Sequence, residues 1–539
     1  MTDRSRARAP NSADPPAAAG PAGDPAQEGE RSDREGSVGA DGGDPPVVGQ
    51  RTQEEEKRHL EELLSSPPDT VLAVSDLHLA EGRDPVTGVF DARENFFAAG
   101  TFGRWLDAQA DLARDGAILV LNGDVFDFIR VMKIPSTDED YIRWRERLLR
   151  LGEEERARSL PRPVSKGERT FGLRTQDYRT LWKLMVIRRG HPEFFRALAG
   201  WVAAGGKLVV VAGNHDPELH WPLVRQAIRD ALVLDGAPER GAMERTAFAG
   251  EPFTLGNLHI EHGHQHEAMT RIDGPPVLEF DPSQIRLPLG SFVNRYFINH
   301  IERIDPFIDN IKPVQDALLE LLRRRPLRIL YLYVRAAKFI RRAFAIPRAF
   351  SRAYALLAVA ALGLPLLTVI LLAATLLLPG FRAWLFDLAP ILGNPWAQIF
   401  GGVGGALFPA IFPWLVSAGK EVLRTLGVTG EEDPLREGAV EALREAFAGR
   451  EDGGRIYAVM GHTHRQIATR LEGLPGADAF YVNTGTWIPL WPQDREDLAG
   501  DVVYSFTRFD RTPEGGYEHF SAEWDDSAGA ARPARMLDG

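Results

Sequence analysis

The chain has 539 residues, 44% of them hydrophobic and 26% charged, and a formal net charge of −12. That length suits two or three domains, and the acidic balance lacks the basic footprint of a nucleic-acid binder, so no nucleic-acid partner is expected. There is no cysteine, which excludes disulfides and thiolate metal sites and leaves nitrogen and oxygen as the only strong ligands for any cation.

Residues 1–55 read as a disordered tail. The first fifty contain no aromatic residue, no Leu and no Ile. Such a segment cannot bury enough apolar area to offset chain entropy. No apolar core follows the early arginines, so it does not read as a secretory signal.

From about Thr70 the pattern becomes α/β. Short apolar runs recur: "TVLAVS", "GAILVLNGD", "KLVVVAGNHD", "LGNLHIEHGH", "RIYAVMGHTH" and "AFYVNTGTW". Their length and branching suit strands buried on both faces. Helical stretches lie between several of them, including "ENFFAAGTFGRWLDAQADLARDG" and "HPEFFRALAGWVAAGG", the second ending in a Gly-Gly stop. Alternating strand and helix predicts a largely parallel central sheet.

Five of these runs end in Asp, Asn or His at or beside a glycine: Asp76 and His78, Asp124, Asn214 and His215, His262, and His462 with His464. In open α/β sheets the ligand crevice lies beyond the carboxyl ends of the strands, so the five ends can converge on one pocket. Each cluster alone is a weak signal, because Asp-x-His occurs by chance and "GNHD" can be a capped turn. Together they are hard to explain as turn chemistry, since burying so many polar groups without a cation is costly.

The order D-x-H, G-D-x-x-D, G-N-H-D, G-H, G-H-T-H, followed by "NTGTW" at Asn483 to Trp487, resembles the calcineurin-like metallophosphoesterase superfamily. The resemblance implies a four-layer α/β/β/α sandwich with two metal ions at the strand ends. It implies that Asp76, His78 and His464 hold the first metal, that Asn214, His262 and His462 hold the second, and that Asp124 bridges them. His215 corresponds to the family's non-ligand catalytic histidine. Asp127 and Asp216 either orient ligands or cap turns. His264 and His266 read as exposed loop histidines near the crevice. Two divalent cations can clamp the attacking and leaving oxygens of a phosphoester and make hydroxide from a bridging water. Mn²⁺ is the expected ion, with Fe²⁺ and Zn²⁺ compatible with the same donors.

Two long intervals separate the motifs. Between Asp124 and Asn214 lies a charged helical insert, about 131–195, expected to cap the site. The interval from His262 to His462 splits the metallophosphoesterase domain into 67–310 and 431–530. Within it, 311–430 combines a basic amphipathic segment with two charge-free apolar runs, 354–378 and 396–418. About 20 apolar residues span a bilayer, so these runs predict a transmembrane helical hairpin. Two passes return the chain to the side it left, and the flanking arginines place the catalytic domain on the cytoplasmic side of the cytoplasmic membrane.

Motif order and insert position resemble the bacterial UDP-2,3-diacylglucosamine hydrolases, which cleave a pyrophosphate in a lipid precursor. The expected function is therefore a membrane-associated two-metal phosphoesterase acting on a phosphate or pyrophosphate ester, with lipid-linked substrates included. A phosphatase or phosphodiesterase for soluble substrates, and a non-catalytic scaffold on the same fold, remain alternatives.

Overall fold

The run Thr70–Val74 has no polar alternation and forms a strand, β1, buried throughout. In the computed structural model, which describes residues 50–160, 164–267, 269–299, 311–312, 434–449, 453–474, 476–489, 491–492 and 502–534, two sheets account for the main strands. The strands are β1, β2 (Ile118–Asn122), β3 (Lys207–Val211), β4 (Thr246–Ala249), β5 (Phe253–Leu255), β6 (Leu258–Ile260), β7 (Arg455–Met460), β8 (Gln466–Arg470), β9 (Asp478–Thr484), β10 (Ser505–Arg511), β11 (Tyr517–Asp525) and β12 (Ala530–Pro533).

The larger sheet has seven strands in the order β12-β11-β10-β1-β2-β3-β4. β1 to β4 run parallel, with Val74 beside Leu121 and Asn122 beside Val211. The remaining three strands add antiparallel to the β1 edge. The smaller sheet has the order β8-β9-β7-β6-β5, with β6, β7 and β9 mutually parallel. The protein is thus mixed α/β, with a large sheet whose central strands are parallel.

Side-chain alternation sorts the core into layers. Val71, Val120 and Val209 of the larger sheet share one cluster with Ile260, Val459 and Val482 of the smaller, so the sheets pack face to face. On its other face the larger sheet points Leu72, Val74, Leu119 and Leu121 into a cluster with helical residues. These come from α1 (Ala99–Ala108), α2 (Asp138–Arg150), α3 (Asp177–Gly190), α4 (Pro192–Ala204) and α5 (Pro222–Leu234). The outer face of the smaller sheet, Ile456, Ala458 and Met460, is covered by Leu435, Ala439 and Leu443 of α6 (Pro434–Ala446).

The insert expected at 131–195 is helical, and it is built into the helical layer. Trp144, Leu148 and Leu181 belong to the same buried cluster as Leu121 and Phe195. Trp144 Nε1 donates to the carbonyl of Tyr178 at 2.9 Å, and Arg150 Nε pairs with Asp230 Oδ1 of α5 at 2.8 Å. Charged residues dominate α2, yet Tyr141, Trp144 and Leu148 give that helix a buried face.

Among the described residues no helix is long and apolar enough to cross a membrane. The expected hairpin, 354–378 and 396–418, and the basic segment before it lie outside the described residues, as does nearly all of the expected N-terminal tail.

Candidate metal centre

Five strand ends meet at one point. β1, β2 and β3 of the larger sheet lead into Asp76, Asp124 and Asn214, and β6 and β7 of the smaller lead into His262 and His462. Strand-like pairing carries on past the strands: Asp76 N donates to Gly123 O at 3.1 Å, and His78 N donates to Asp124 O at 2.9 Å. Within the smaller sheet, Gly461 N likewise donates to His262 O at 3.0 Å.

The backbone is unusual where the ligand candidates sit. Asp76, His78, Asp124, His462 and His464 have φ of 55°, 51°, 52°, 72° and 63°, and among the described residues they are the only non-glycine positions with positive φ. This left-handed conformation costs about 1–3 kcal/mol per residue and persists where the surroundings over-determine it. Concentration of that strain on five of the seven expected ligands marks the place as built for a purpose other than stability.

The side chains form three overlapping groups whose ligand atoms all lie within 4.8 Å of one another: Asp76, His78 and His464; His78, Asp124 and His215; Asp124, His262 and His462. These groups could hold a metal ion. His78 and His464 aim their Nε2 atoms at each other, 3.1 Å apart, and His464 Nε2 lies 3.3 Å from Asp76 Oδ1. Asp124 Oδ2 lies 3.2 Å from His262 Nε2 and 3.8 Å from His78 Nε2, so one carboxylate reaches both ends of the cluster. Asn214 stands between two residues pressed on Asp124. His215 N donates to Asp124 Oδ1 at 2.8 Å, and a Cβ on Gly213 would lie 2.2 Å from that same oxygen.

The donors fit cations. Asp76 Oδ1, Asn214 Oδ1 and His262 Nε2 are buried and make no well-aligned hydrogen bond, although His464 Nε2 and Asp124 Oδ2 stand 3.3 and 3.2 Å from the first and the last. Orphaned buried polar atoms are costly in a native fold, and these three belong to the expected ligand set. Carboxylate, imidazole and amide oxygen together make a hard-to-borderline set suited to Mn²⁺, Fe²⁺ or Zn²⁺.

Surrounding groups fix the ligands' orientation. His262 Nδ1 sits 2.8 Å from the carbonyl of Asn122, so its proton is held there and Nε2 is free for a cation. Asp127 Oδ2 is shared by His215 Nδ1 at 2.9 Å, Arg130 Nε at 3.0 Å and His78 Nδ1 at 3.4 Å. Asp216 accepts from the backbone N–H groups of Gly213, Val125 and Phe126, tying the "GNHD" loop to the "GDVFD" loop. The "NTGTW" segment now has a physical role. Thr484 Oγ1 donates to Ser75 Oγ at 2.6 Å, Ser75 Oγ donates to Asp76 Oδ2 at 2.5 Å, and Thr486 Oγ1 donates to the carbonyl of Asp76 at 2.6 Å. With Oδ2 also accepting from His462 N at 2.9 Å, Asp76 is held with Oδ1 turned to the cluster.

Charges in the cluster sustain one another. Burial opposes ionisation of Asp76, but His464 and His262 hold its pKa down at about 2. Burial likewise works against Asp124 and Asp127, and the adjacent imidazoles keep both well below the usual carboxylate range. Burial disfavours the imidazolium of His215, yet Asp127 and Asp124 raise it to about 9. Asp216 is pushed by burial and by Asp124 up to about 7, against the pull of the backbone N–H groups it accepts from and of His262.

His264 and His266 are not the exposed loop residues the sequence suggested. Both are partly buried; His266 Nε2 contacts Glu261 Oε1 at 2.6 Å, and the His264 ring centroid lies 5.5 Å from that of His262. Glu267, which sequence reasoning passed over, contacts His462 Nε2 through Oε2 at 2.6 Å. Its only signal was its place at the end of the His-rich run "HGHQHE".

Comparison with protein-family models gives no match, and comparison with curated proteins gives none. The chemistry of the cluster is what carries the functional reading.

Proposed function

We propose that the protein is a metal-dependent phosphoesterase of the calcineurin-like kind, hydrolysing a phosphate or pyrophosphate ester at this cluster. The observation that carries the reading is the coincidence of buried, unpartnered ligand atoms with left-handed backbone at the ends of five strands. Asp76, His78 and His464 would hold one divalent cation, Asn214, His262 and His462 a second, and Asp124 both. Bound there, the cations supply Lewis acidity toward phosphoryl oxygens and lower the pKa of water near neutral pH. Mn²⁺ is the ion the donor set suits first.

The chain's own residues do the rest. Asp127 holds the Nδ1 proton of His215, which leaves Nε2 to carry the proton that the leaving oxygen needs. Hydrolysis adds hydroxyl to phosphorus, breaks the P–O bond to the leaving group and protonates that oxygen, so atoms and charge balance. The backbone pairing of residues 76–79 with 123–125 fixes the loop of Asp76 and His78 against that of Asp124. A scaffold without catalysis would need neither the strained aspartates nor the His215–Asp127 pair.

The charge-free runs at 354–378 and 396–418, with arginines and no acidic residue between Glu320 and the first of them, support action at a membrane surface on a lipid-linked ester. The test is hydrolysis of bis-p-nitrophenyl phosphate by the full-length protein with Mn²⁺. Turnover that stops on chelation with EDTA is expected, and metal-independent or absent turnover contradicts the reading. Faster cleavage of a micelle-presented lipid pyrophosphate than of a soluble nucleotide is expected for the lipid-linked substrate. Equal rates favour the soluble-substrate enzyme.

A further inference from the structure

Each histidine at a metal end has two ring nitrogens, and only one can bind a cation. For His262 the second nitrogen, Nδ1, is taken by the Asn122 carbonyl. For His78 it lies against Asp127. For His462 the engaged nitrogen is the other one: Nε2 lies 2.6 Å from Glu267 Oε2 and 3.2 Å from Thr270 Oγ1. Both partners come from the loop that leaves the "EHGH" strand end, a part of the chain remote in sequence from His462.

Glu267 belongs to none of the three clusters of mutually close ligand atoms. It touches His462 from outside, and it is partly buried, with 22% of its side chain exposed. Its carboxylate accepts the Nε2–H bond and so keeps the proton on that nitrogen. The lone pair is then on Nδ1, the nitrogen left for a cation shared with Asp124 and His262.

We infer that Glu267 is a positioning residue for the second metal end, completing a carboxylate–histidine–metal relay through His462. Such a partner fixes the tautomer and the ring orientation of its histidine and makes it a stronger donor. Thr270 Oγ1, also on Nε2, limits rotation of the same ring. The consequence is asymmetry. The end built on Asp76, His78 and His464 has its support from Asp127, Ser75 and Thr484, all at or just past strand ends of the two sheets. The other end depends on a residue in the loop that leads toward the long interval between the two halves of the domain. The inference rests on the metal-centre reading above.

The test is metal binding by the metal-depleted full-length protein, measured as equilibrium dialysis against Mn²⁺ with metal analysis, for wild type, Glu267→Gln and Glu267→Asp. Glu267→Gln keeps the size of the side chain and removes its charge. The expected result is two sites in wild type, with one weakened about tenfold or more in Glu267→Gln and the other unchanged. Glu267→Asp, which keeps the charge one methylene shorter, recovers part of the loss. Far-ultraviolet circular dichroism matching wild type shows that the variants are folded. Two sites of wild-type affinity in Glu267→Gln overturn the inference and leave the metal centre standing. A wild-type chain that takes up no Mn²⁺ overturns both.

Discussion

Replacing Asp124 by Asn is expected to abolish hydrolysis while leaving the fold in place. Oδ1 of Asp124 accepts from His215 N at 2.8 Å, and an amide oxygen can accept the same bond. What Asn cannot do is present negative charge at once toward His262 Nε2, 3.2 Å away, and His78 Nε2, 3.8 Å away. These nitrogens belong to opposite ends of the cluster, so under the proposed reading the change removes the anionic group that would serve both cations. A loss of about 10³-fold in turnover of bis-p-nitrophenyl phosphate is expected, the scale of removing one preorganised electrostatic contact from a reaction centre. Metal content should fall in parallel. Circular dichroism and the melting midpoint should stay near wild type, since no buried volume changes. Turnover within a fewfold of wild type would mean that the chemistry lies elsewhere.

The second large effect concerns Gly123, at the turn between β2 and Asp124. Its φ is +83°, and a Cβ there would lie 2.3 Å from Nδ1 of His262. Real Cβ atoms do not approach that closely, so Gly123→Ala must push the imidazole away from the Asn122 carbonyl that holds its proton at 2.8 Å. Left-handed strain and overpacking each cost about 1–3 kcal/mol, giving about 2–6 kcal/mol of destabilisation together. The displaced His262 should also lose Mn²⁺ affinity. Urea unfolding monitored by tryptophan fluorescence reads the first effect, and dialysis against Mn²⁺ reads the second. A midpoint and an affinity both equal to wild type would show that the packing around Gly123 is looser than described.

The parts legible in sequence were those whose signal is local. The runs leading to Asp76, Asp124, Asn214, His262 and His462 combine apolar, branched residues with a polar end, and each is visible within a dozen residues. The division of those ends between two sheets was not visible from the runs, because a strand of either sheet is buried on both faces and reads alike. Glu267 escaped notice because it acts through His462, 195 positions away, and nothing in its own neighbourhood marks it. Thr484 was marked only as part of "NTGTW", and its role was not legible because its effect on Asp76 passes through Ser75, 409 positions away. His266 was misread as exposed because its partner, Glu261, sits at a buried strand end while the surrounding loop is polar. In the charged insert, the many arginines and glutamates concealed the buried stripe of Tyr141, Trp144 and Leu148 that seats it on the helical layer.

The most direct measurement is the location and number of metal ions in crystals of the full-length protein loaded with Mn²⁺, read from anomalous scattering at the manganese edge. Two adjacent peaks are predicted, one among Asp76, His78 and His464 and one among Asn214, His262 and His462, with Asp124 touching both. No peak at these strand ends, or manganese bound only elsewhere on the chain, would contradict the account.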